Sequence, residues 1–134
     1  MKPQVLVVDD DQSVLYTVRR ILEKAKLNVE TADSGKACVQ KIQDGFTGLV
    51  LMDILMPEMD GWDTIRILVE KKLIDRIIIC MLTGKDEPGE KMAELKEYVL
   101  DYLTKPFQPV KLVEVVKTYL SYLDSPDSSV MNRH

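Results

Sequence analysis

Histidine and cysteine are scarce in this chain of 134 residues, and their scarcity excludes several kinds of chemistry. The single histidine, His134, lies in the last segment, so this domain has neither a histidine-based catalytic site nor an internal phosphohistidine relay. The two cysteines, Cys38 and Cys80, are not spaced as metal ligands, and both lie in apolar surroundings. We therefore expect two buried free thiols rather than a disulfide.

Long apolar runs and an excess of positive charge are also missing. The most apolar run, 77–82, has the length of a strand and is too short to span a membrane. A formal net charge of −4 argues against a nucleic-acid-binding surface on this domain. No basic and apolar leader precedes the first apolar run, so we expect a cytoplasmic domain without membrane contact.

What the chain does have is an alternation of short apolar runs with segments of helical periodicity. Runs such as Val5-Leu6-Val7-Val8 are typical of strands buried on both faces. In the segments between them, apolar residues recur every three or four positions, as expected for amphipathic helices. We predict strands at about 5–8, 28–32, 48–52, 77–82 and 98–103, and helices at about 13–25, 35–44, 62–72, 90–97 and 109–123.

This alternation predicts an α/β fold, a doubly wound five-stranded parallel sheet flanked by five helices, because parallel strands need crossover connections. The less apolar strand 28–32 is expected at an edge and strand 77–82 at the centre. Residues 1–123 are expected to form one domain. Residues 124–134 show no periodicity, which predicts a flexible tail or the start of a linker, and the polar segment 85–89 predicts a mobile loop.

Polar side chains stand at the carboxyl ends of four predicted strands. Asp9 and Asp10 follow the first strand, and Asp53 follows the third. Thr83 follows the fourth strand, and Lys105 follows the fifth. In a doubly wound sheet these ends share one edge, where ligands bind. Three carboxylates at one place repel each other unless a cation lies among them, and such oxygen ligands suit Mg²⁺. A hydroxyl and an ammonium group opposite would complete a clamp for a phosphoryl group.

Five motifs, in order along the chain, carry a resemblance to a known family. They are Asp9-Asp10, Met52-Asp53 with Met56-Pro57, Asp60-Gly61, Thr83-Gly84 and the run Asp101-Tyr102-Leu103-Thr104-Lys105-Pro106-Phe107. Over residues 4 to about 123 the chain resembles the receiver domain of two-component response regulators, whose fold is the CheY-like form of the flavodoxin-like fold.

The resemblance implies a phosphorylation-dependent switch. Asp53 would accept a phosphoryl group from a histidine kinase or a phosphotransfer protein. Asp10, Asp53 and the backbone carbonyl of Leu55 would hold Mg²⁺, or Mn²⁺ in its place, and Asp9 would do so through water. As Leu55 is apolar where some members carry a polar residue, we expect slow loss of the phosphoryl group, on the order of minutes or longer.

The resemblance also implies how the signal leaves the site. Thr83 and Lys105 would bind phosphoryl oxygens, and a cis peptide bond before Pro106 would direct Lys105 into the site. Tyr102 occupies the aromatic switch position, where its ring turns inward as Thr83 moves. The face formed by the fourth helix, fifth strand and fifth helix would then change shape for a downstream effector protein or domain. A homodimer on phosphorylation could use the same face.

Three alternatives stay open. A haloacid-dehalogenase-like phosphatase needs a second Asp two residues after its nucleophile, and Leu55 in that place argues against turnover of outside substrates. The chain is therefore not expected to be an enzyme beyond its own phosphorylation and dephosphorylation. A nucleotide or flavin binder would need a Gly-rich phosphate loop after the first strand, where Asp residues stand instead. A degenerate receiver would act as a phosphorylation-independent interaction module, which the complete polar set disfavours.

Overall fold

The computed structural model describes residues 4–84 and 90–123, with side chains from Glu94 onwards in the second range. The predicted loop 85–89 and the tail 124–134 lie outside the described residues. Within them, five strands form one sheet: β1 Val5–Val8, β2 Val29–Ala32, β3 Gly48–Asp53, β4 Ile77–Thr83 and β5 Val99–Thr104. The α-helices of the same residues are α1 Gln12–Lys24, α2 Gly35–Gln43, α3 Gly61–Glu70 and α4 Pro109–Leu123.

All strand pairs in the sheet are parallel, and the strand order is β2-β1-β3-β4-β5. The predicted fold class is therefore confirmed, as is the edge position of β2. The middle position belongs to β3 rather than to β4, although β4 also has a neighbour on each side. The order of strands reverses between β1 and β3, which is where a doubly wound sheet binds its ligand.

The core consists of two apolar layers, one on each face of the sheet, among the described side chains. One layer joins the sheet to α2 and α3, and the other joins it to α1 and α4. Cys38 lies in the first layer and Cys80 in the second, and both are free thiols. Burial raises the pKa of each thiol to about 12, so both behave as small apolar side chains.

Polar side chains cap the N-termini of α1, α2 and α3. Ser34 accepts a hydrogen bond from the Ala37 amide at the start of α2. Asp11 caps α1 by accepting from the Ser13 amide, which leaves Asp11 outside the polar cluster of the neighbouring acids. Asp60 and Asp63 form a reciprocal capping box at the start of α3. Each cap satisfies an amide that a helix N-terminus would otherwise leave unpaired.

The predicted fourth helix is the one element whose type differs. The structure has a 3₁₀ helix at Glu90–Tyr98, which we call the 3₁₀ segment, where an α-helix at 90–97 was expected. Its described side chains are mostly exposed, and Leu95 is the buried one among them. A segment with so small an apolar face gains little from packing as an α-helix, because tertiary packing supplies most helix stability.

Candidate functional site

The pairing of strands brings two carboxylates side by side. Val8 of β1 pairs with Met52 of β3, so Asp9 and Asp53, one residue further along, are neighbours at the same edge. Asp10 follows Asp9 in the turn towards α1. One carboxylate oxygen from each of the three residues lies within 4.8 Å of the others. The sequence-predicted acidic cluster is thus assembled in the structure.

The cluster is poorly solvated on its inner side. Asp9 is 1% exposed and Asp53 is 8% exposed, whereas Asp10 faces solvent. Burial, together with the nearby charge of Asp9, raises the pKa of Asp53 to about 6, and Lys105 opposes this shift only in part. Asp53 is therefore harder to ionise than a solvated carboxyl, and a further positive charge would favour its charged form.

Lys105 supplies the positive charge that the protein itself brings to the cluster. Its Nζ donates to Asp9 Oδ2 at 2.9 Å and to Asp53 Oδ1 at 3.3 Å. Burial by itself would lower the pKa of Lys105, but its bonds to these two carboxylates raise it overall, so the ammonium stays charged. A backbone hydrogen bond helps to fix its position, because the Lys105 amide donates to the Thr83 carbonyl at 2.8 Å. The Lys105–Pro106 peptide bond is cis.

Thr83 ends β4 beside the acidic cluster. Asp53 of β3 pairs with Leu82, so Thr83 lies one residue beyond Asp53 at the same edge of the sheet. Its side chain is 6% exposed, and its hydroxyl donates to the Gly84 carbonyl at 2.6 Å. A hydroxyl bonded to an adjacent carbonyl can exchange that partner for another by rotation about one bond.

Tyr102 and Leu55 are both partly or largely exposed. Tyr102, in the middle of β5, is 36% exposed, and partial burial raises its pKa. Its ring centroid is 6.4 Å from that of Trp62, with the ring planes at 42°. Leu55 is 63% exposed in the loop after β3, where its side chain contributes no polar group to the site.

Sequence reasoning missed two contacts around Tyr102. One is its neighbour Trp62, a buried residue of α3. The other is Asp101, whose carboxylate accepts from the Tyr102 amide and from the Tyr119 hydroxyl of α4, each at 2.8 Å. Neither contact has a signal in the sequence. Trp62 is far from Tyr102 along the chain, Asp101 is distant from Tyr119, and no motif links the members of either pair.

The donor set of the cluster fits a hard divalent cation. Asp9, Asp10 and Asp53 offer carboxylate oxygens, and these are the ligands that Mg²⁺ prefers in proteins. The exposed side of Asp10 leaves room for water and for the oxygens of a ligand. The residues present therefore match the cation that the sequence predicts.

A family model decides the classification of this chain. The model of the response regulator receiver domain matches residues 5–117. The chain belongs to the response regulator receiver domains. Members of this family act in two-component signalling, and both the predicted resemblance and the CheY-like fold are confirmed.

Individual relatives agree with this assignment. A crystal structure of a CheY-like receiver domain protein from Methanospirillum hungatei JF-1 is 44% identical, with a TM-score of 0.88 over 92% of this chain and 98% of that one. The alkaline phosphatase synthesis transcriptional regulatory protein PhoP of Bacillus subtilis is 34% identical over 98% of this receiver domain. A CpxR homolog from Haemophilus influenzae is 30% identical over 96% of it.

This receiver domain spans about half the length of those curated relatives, covering 55% of PhoP and 55% of the CpxR homolog. Both relatives are named as transcriptional regulatory proteins. Across residues 4–84 and 90–123, no helix has the length and apolar character needed to cross a lipid bilayer.

Proposed function

We propose that Asp53 accepts a phosphoryl group from a histidine kinase or a phosphotransfer protein and thereby switches this receiver between two conformations. The observation that carries the proposal is the cluster of Asp9, Asp10 and Asp53 with the Lys105 ammonium bonded to two of its carboxylates. A purely structural cluster would gain nothing from a third carboxylate next to two buried ones.

In the transfer step, an Asp53 oxygen attacks the phosphorus of a phosphohistidine. The new bond is a phosphorus–oxygen bond of an acyl phosphate, the phosphorus–nitrogen bond breaks, and the leaving imidazole takes up a proton from solvent. Lys105 already contacts both Asp9 and Asp53, so its ammonium can follow the charge onto the transferred group.

Asp10 and Asp53, with the Leu55 backbone carbonyl and with Asp9 through water, would hold Mg²⁺ or Mn²⁺. When bound, the cation supplies positive charge that offsets the charge of the phosphoryl oxygens. Without it, transfer would add nearly two negative charges beside carboxylates that already raise the pKa of Asp53.

The switch itself involves Thr83 and Tyr102. A phosphoryl oxygen is a stronger acceptor than the Gly84 carbonyl that Thr83 now uses, so the hydroxyl turns towards Asp53. Thr83 vacates space beside β5, and the partly exposed ring of Tyr102 turns into it. The surface formed by the 3₁₀ segment, β5 and α4 changes shape, and a downstream effector protein or domain, or a second copy of the chain, recognises the change.

This function places the protein in the cytoplasm, with no nucleic acid or membrane bound by this domain. It makes the chain a regulator rather than an enzyme with an outside substrate. The second candidate is a degenerate receiver that binds partners without phosphorylation. Two observations favour the phosphoacceptor over that candidate. Lys105 is hydrogen-bonded to Asp9 and Asp53, and the strand pairing places Thr83 next to Asp53.

Labelling tests the proposed function directly. With Mg²⁺ and a small phosphodonor such as acetyl phosphate, we expect an added phosphoryl group in the intact mass of the wild-type chain and none in Asp53→Asn. Asp44→Asn, at an exposed carboxylate bonded to Gln40, is the matched control and should be labelled as the wild type is. Full labelling of Asp53→Asn would show that the site assignment is wrong, and no labelling of the wild type would favour the degenerate receiver.

Leu55 provides a test of the lifetime of the phosphoryl group. With an apolar, exposed side chain at this position, an attacking water has no hydrogen-bond partner there, and we expect a half-life on the order of minutes or longer. Leu55→Asn should shorten the half-life, and Leu55→Met should not. A half-life that is unchanged or longer in Leu55→Asn contradicts this part of the proposal.

A further inference from the structure

Trp62 is a buried aromatic residue with an unpaired hydrogen-bond donor. The side chain is 1% exposed, and its Nε1 group has no hydrogen-bond partner among the described residues. A buried donor without a partner lowers stability, and most buried tryptophans have a hydrogen-bond partner. An unpaired buried donor needs an explanation, and one explanation is that it forms its hydrogen bond in a different conformation of the protein.

The position of Trp62 links it to the phosphoacceptor. Trp62 is the second residue of α3, and the Gly61 amide just before it donates to the Ile54 carbonyl, directly after Asp53, at 2.8 Å. A Cβ on Gly61 would lie 2.8 Å from the Asp53 carbonyl oxygen, which shows how closely α3 approaches the end of β3. The backbone just before Trp62 is thus held close to the end of the strand that carries the phosphoacceptor.

On its other side, Trp62 contacts the residue proposed to move. The centroids of Trp62 and Tyr102 are 6.4 Å apart, within the range of an aromatic pair. Trp62 is buried, but Tyr102 is 36% exposed and therefore has freedom to rotate. The Tyr102 hydroxyl lies at the far end of its ring and can accept a hydrogen bond, so a rotation of the side chain changes its distance to the indole without moving the backbone.

We propose that Trp62 is a positioning residue for Tyr102, and that the inward-turned Tyr102 accepts a hydrogen bond from Trp62 Nε1. This inference rests on the proposed function, because it assigns the partner that Tyr102 meets when Asp53 is phosphorylated. The orphan donor is unsatisfied in the resting state and satisfied in the switched state. The cost of the orphan donor in the resting state therefore favours the switched state.

An interaction made in one state alone shifts the equilibrium between the two states by its own free energy. A neutral hydrogen bond contributes enough to change an equilibrium constant roughly 2- to 10-fold. Removing either partner should therefore weaken binding of beryllofluoride, a phosphoryl mimic, at Asp53 by about that factor. Neither substitution changes a residue of the carboxylate cluster or Lys105, which contacts it.

The indole proton of Trp62 gives a direct measurement, because the chain contains one tryptophan and so one indole resonance. In a nitrogen-15 correlation spectrum, adding Mg²⁺ and beryllofluoride should move the indole proton downfield in the wild type. Tyr102→Phe keeps the ring but removes the acceptor, and it should abolish that shift while the amides around Asp53 still respond. Tyr122→Phe, at a 41% exposed tyrosine on α4, is the control and should behave as the wild type does.

The outcomes separate this inference from the proposed function. Shifted amides around Asp53 with an unmoved indole proton would overturn the inference and leave the proposed function intact. Spectra without any change would overturn both. An equal downfield shift in Tyr102→Phe would also overturn the inference, because the acceptor would then be another group.

Affinity for beryllofluoride adds a coupling test that does not use the indole signal. Trp62→Phe and Tyr102→Phe should each weaken binding roughly 2- to 10-fold. The double variant should lose no more affinity than the single variant that binds more weakly. Independent, multiplying losses would show that the two residues do not act through one bond. If Trp62→Phe fails to fold, the Tyr102→Phe spectrum still decides the question.

Discussion

The two sides of this receiver domain are packed very differently. Every residue of β1, β3 and β4 is buried, and we call these strands with α1, α2 and α3 the packed half. The β5 side consists of β5 and the 3₁₀ segment, Glu90–Tyr98. Among the six residues of β5, Leu103 is the buried one, and β5 is an edge strand of the sheet that the described residues form.

The site joins the two sides. Asp9 and Asp53 come from the packed half, whereas Lys105 and the nearby Tyr102 come from the β5 side or its end. The side chains around Asp53 are buried in the packed half and more exposed on the β5 side. The difference teaches that, if Asp53 is phosphorylated as proposed, the conformational response is expected on the β5 side, because local opening is easiest where burial is least.

The largest expected effect comes from replacing a buried leucine by alanine, once in the packed half and once on the β5 side. Leu68→Ala in α3 removes a fully buried side chain and should lower the free energy of unfolding by about 3 kcal/mol. Leu95→Ala in the 3₁₀ segment should cost about 1 to 2 kcal/mol, because a weakly packed segment can collapse into the space. Urea denaturation of both variants measures the two values. Equal losses would show that the β5 side is packed as tightly as the rest.

A pair of glycines gives the next test. A Cβ on Gly61 would lie 2.8 Å from both the Asp53 carbonyl oxygen and the Met81 side chain, so Gly61→Ala should cost about 2 kcal/mol. Gly84 follows β4, and no atom of the described residues lies within 4 Å of the position that a Cβ would take there. Gly84→Ala should therefore leave the free energy of unfolding within about 0.5 kcal/mol of the wild type. Thermal and urea unfolding check both, and a larger loss in Gly84→Ala would break the contrast.

The pH dependence of the free energy of unfolding tests the effect of the Asp53 charge, which lies in the packed half. The pKa of Asp53 is raised to about 6 in the folded state, so folding becomes less favourable as the pH rises from 3.8 through about 6. Asp53→Asn removes this penalty. Without divalent cations, the variant should be more stable than the wild type by about 1 to 2 kcal/mol above that range and no more stable below it.

Urea denaturation across the same pH range, with Asp44→Asn as the control, measures this difference. Added Mg²⁺ should stabilise the wild type and not Asp53→Asn, because ligand binding to the folded state adds stability. If the advantage of the Asn variant grows towards low pH instead, the direction of the pKa shift is wrong.

The smallest expected effect concerns the start of α3. The 3₁₀ segment is a short, weakly packed element, whereas α3 begins with the reciprocal Asp60–Asp63 capping box. Asp60→Ala should lower the free energy of unfolding by about 1 kcal/mol, and Asp60→Asn, which can still cap, should cost less than half of that. Hydrogen exchange of the α3 amides should show faster exchange in Asp60→Ala. Identical exchange in the two variants would mean that the cap does not stabilise this helix start.

Much of the fold was predictable because the strands are short, continuous apolar runs. Strand β1 was predicted with its observed bounds, and β3 and β4 each extend one residue further, to Asp53 and Thr83. The fourth predicted helix was wrong in type. A weak apolar pattern such as that of the 3₁₀ segment contains little information, and packing against α3 and β5 decides its form.

The site divides in the same way. Strand ends are local features, so the sequence predicts which carboxylates, hydroxyl and ammonium meet at one edge once the sheet is known to be parallel. Contacts between residues distant in the chain depend on register and crossing, which have no local signal. The pairs Trp62–Tyr102 and Asp101–Tyr119 are of this second kind.

By itself, the amino-acid sequence determined the parallel α/β architecture, the family and the set of polar residues at the strand ends, because each of these follows from local pattern. Tertiary structure alone decided that β3 occupies the middle and that Lys105 bonds to both Asp9 and Asp53. It also decided that a buried indole, with no hydrogen-bond partner among the described residues, lies against Tyr102. The physical reason is that burial and electrostatic coupling depend on distances between elements, which exist only after the sheet has assembled.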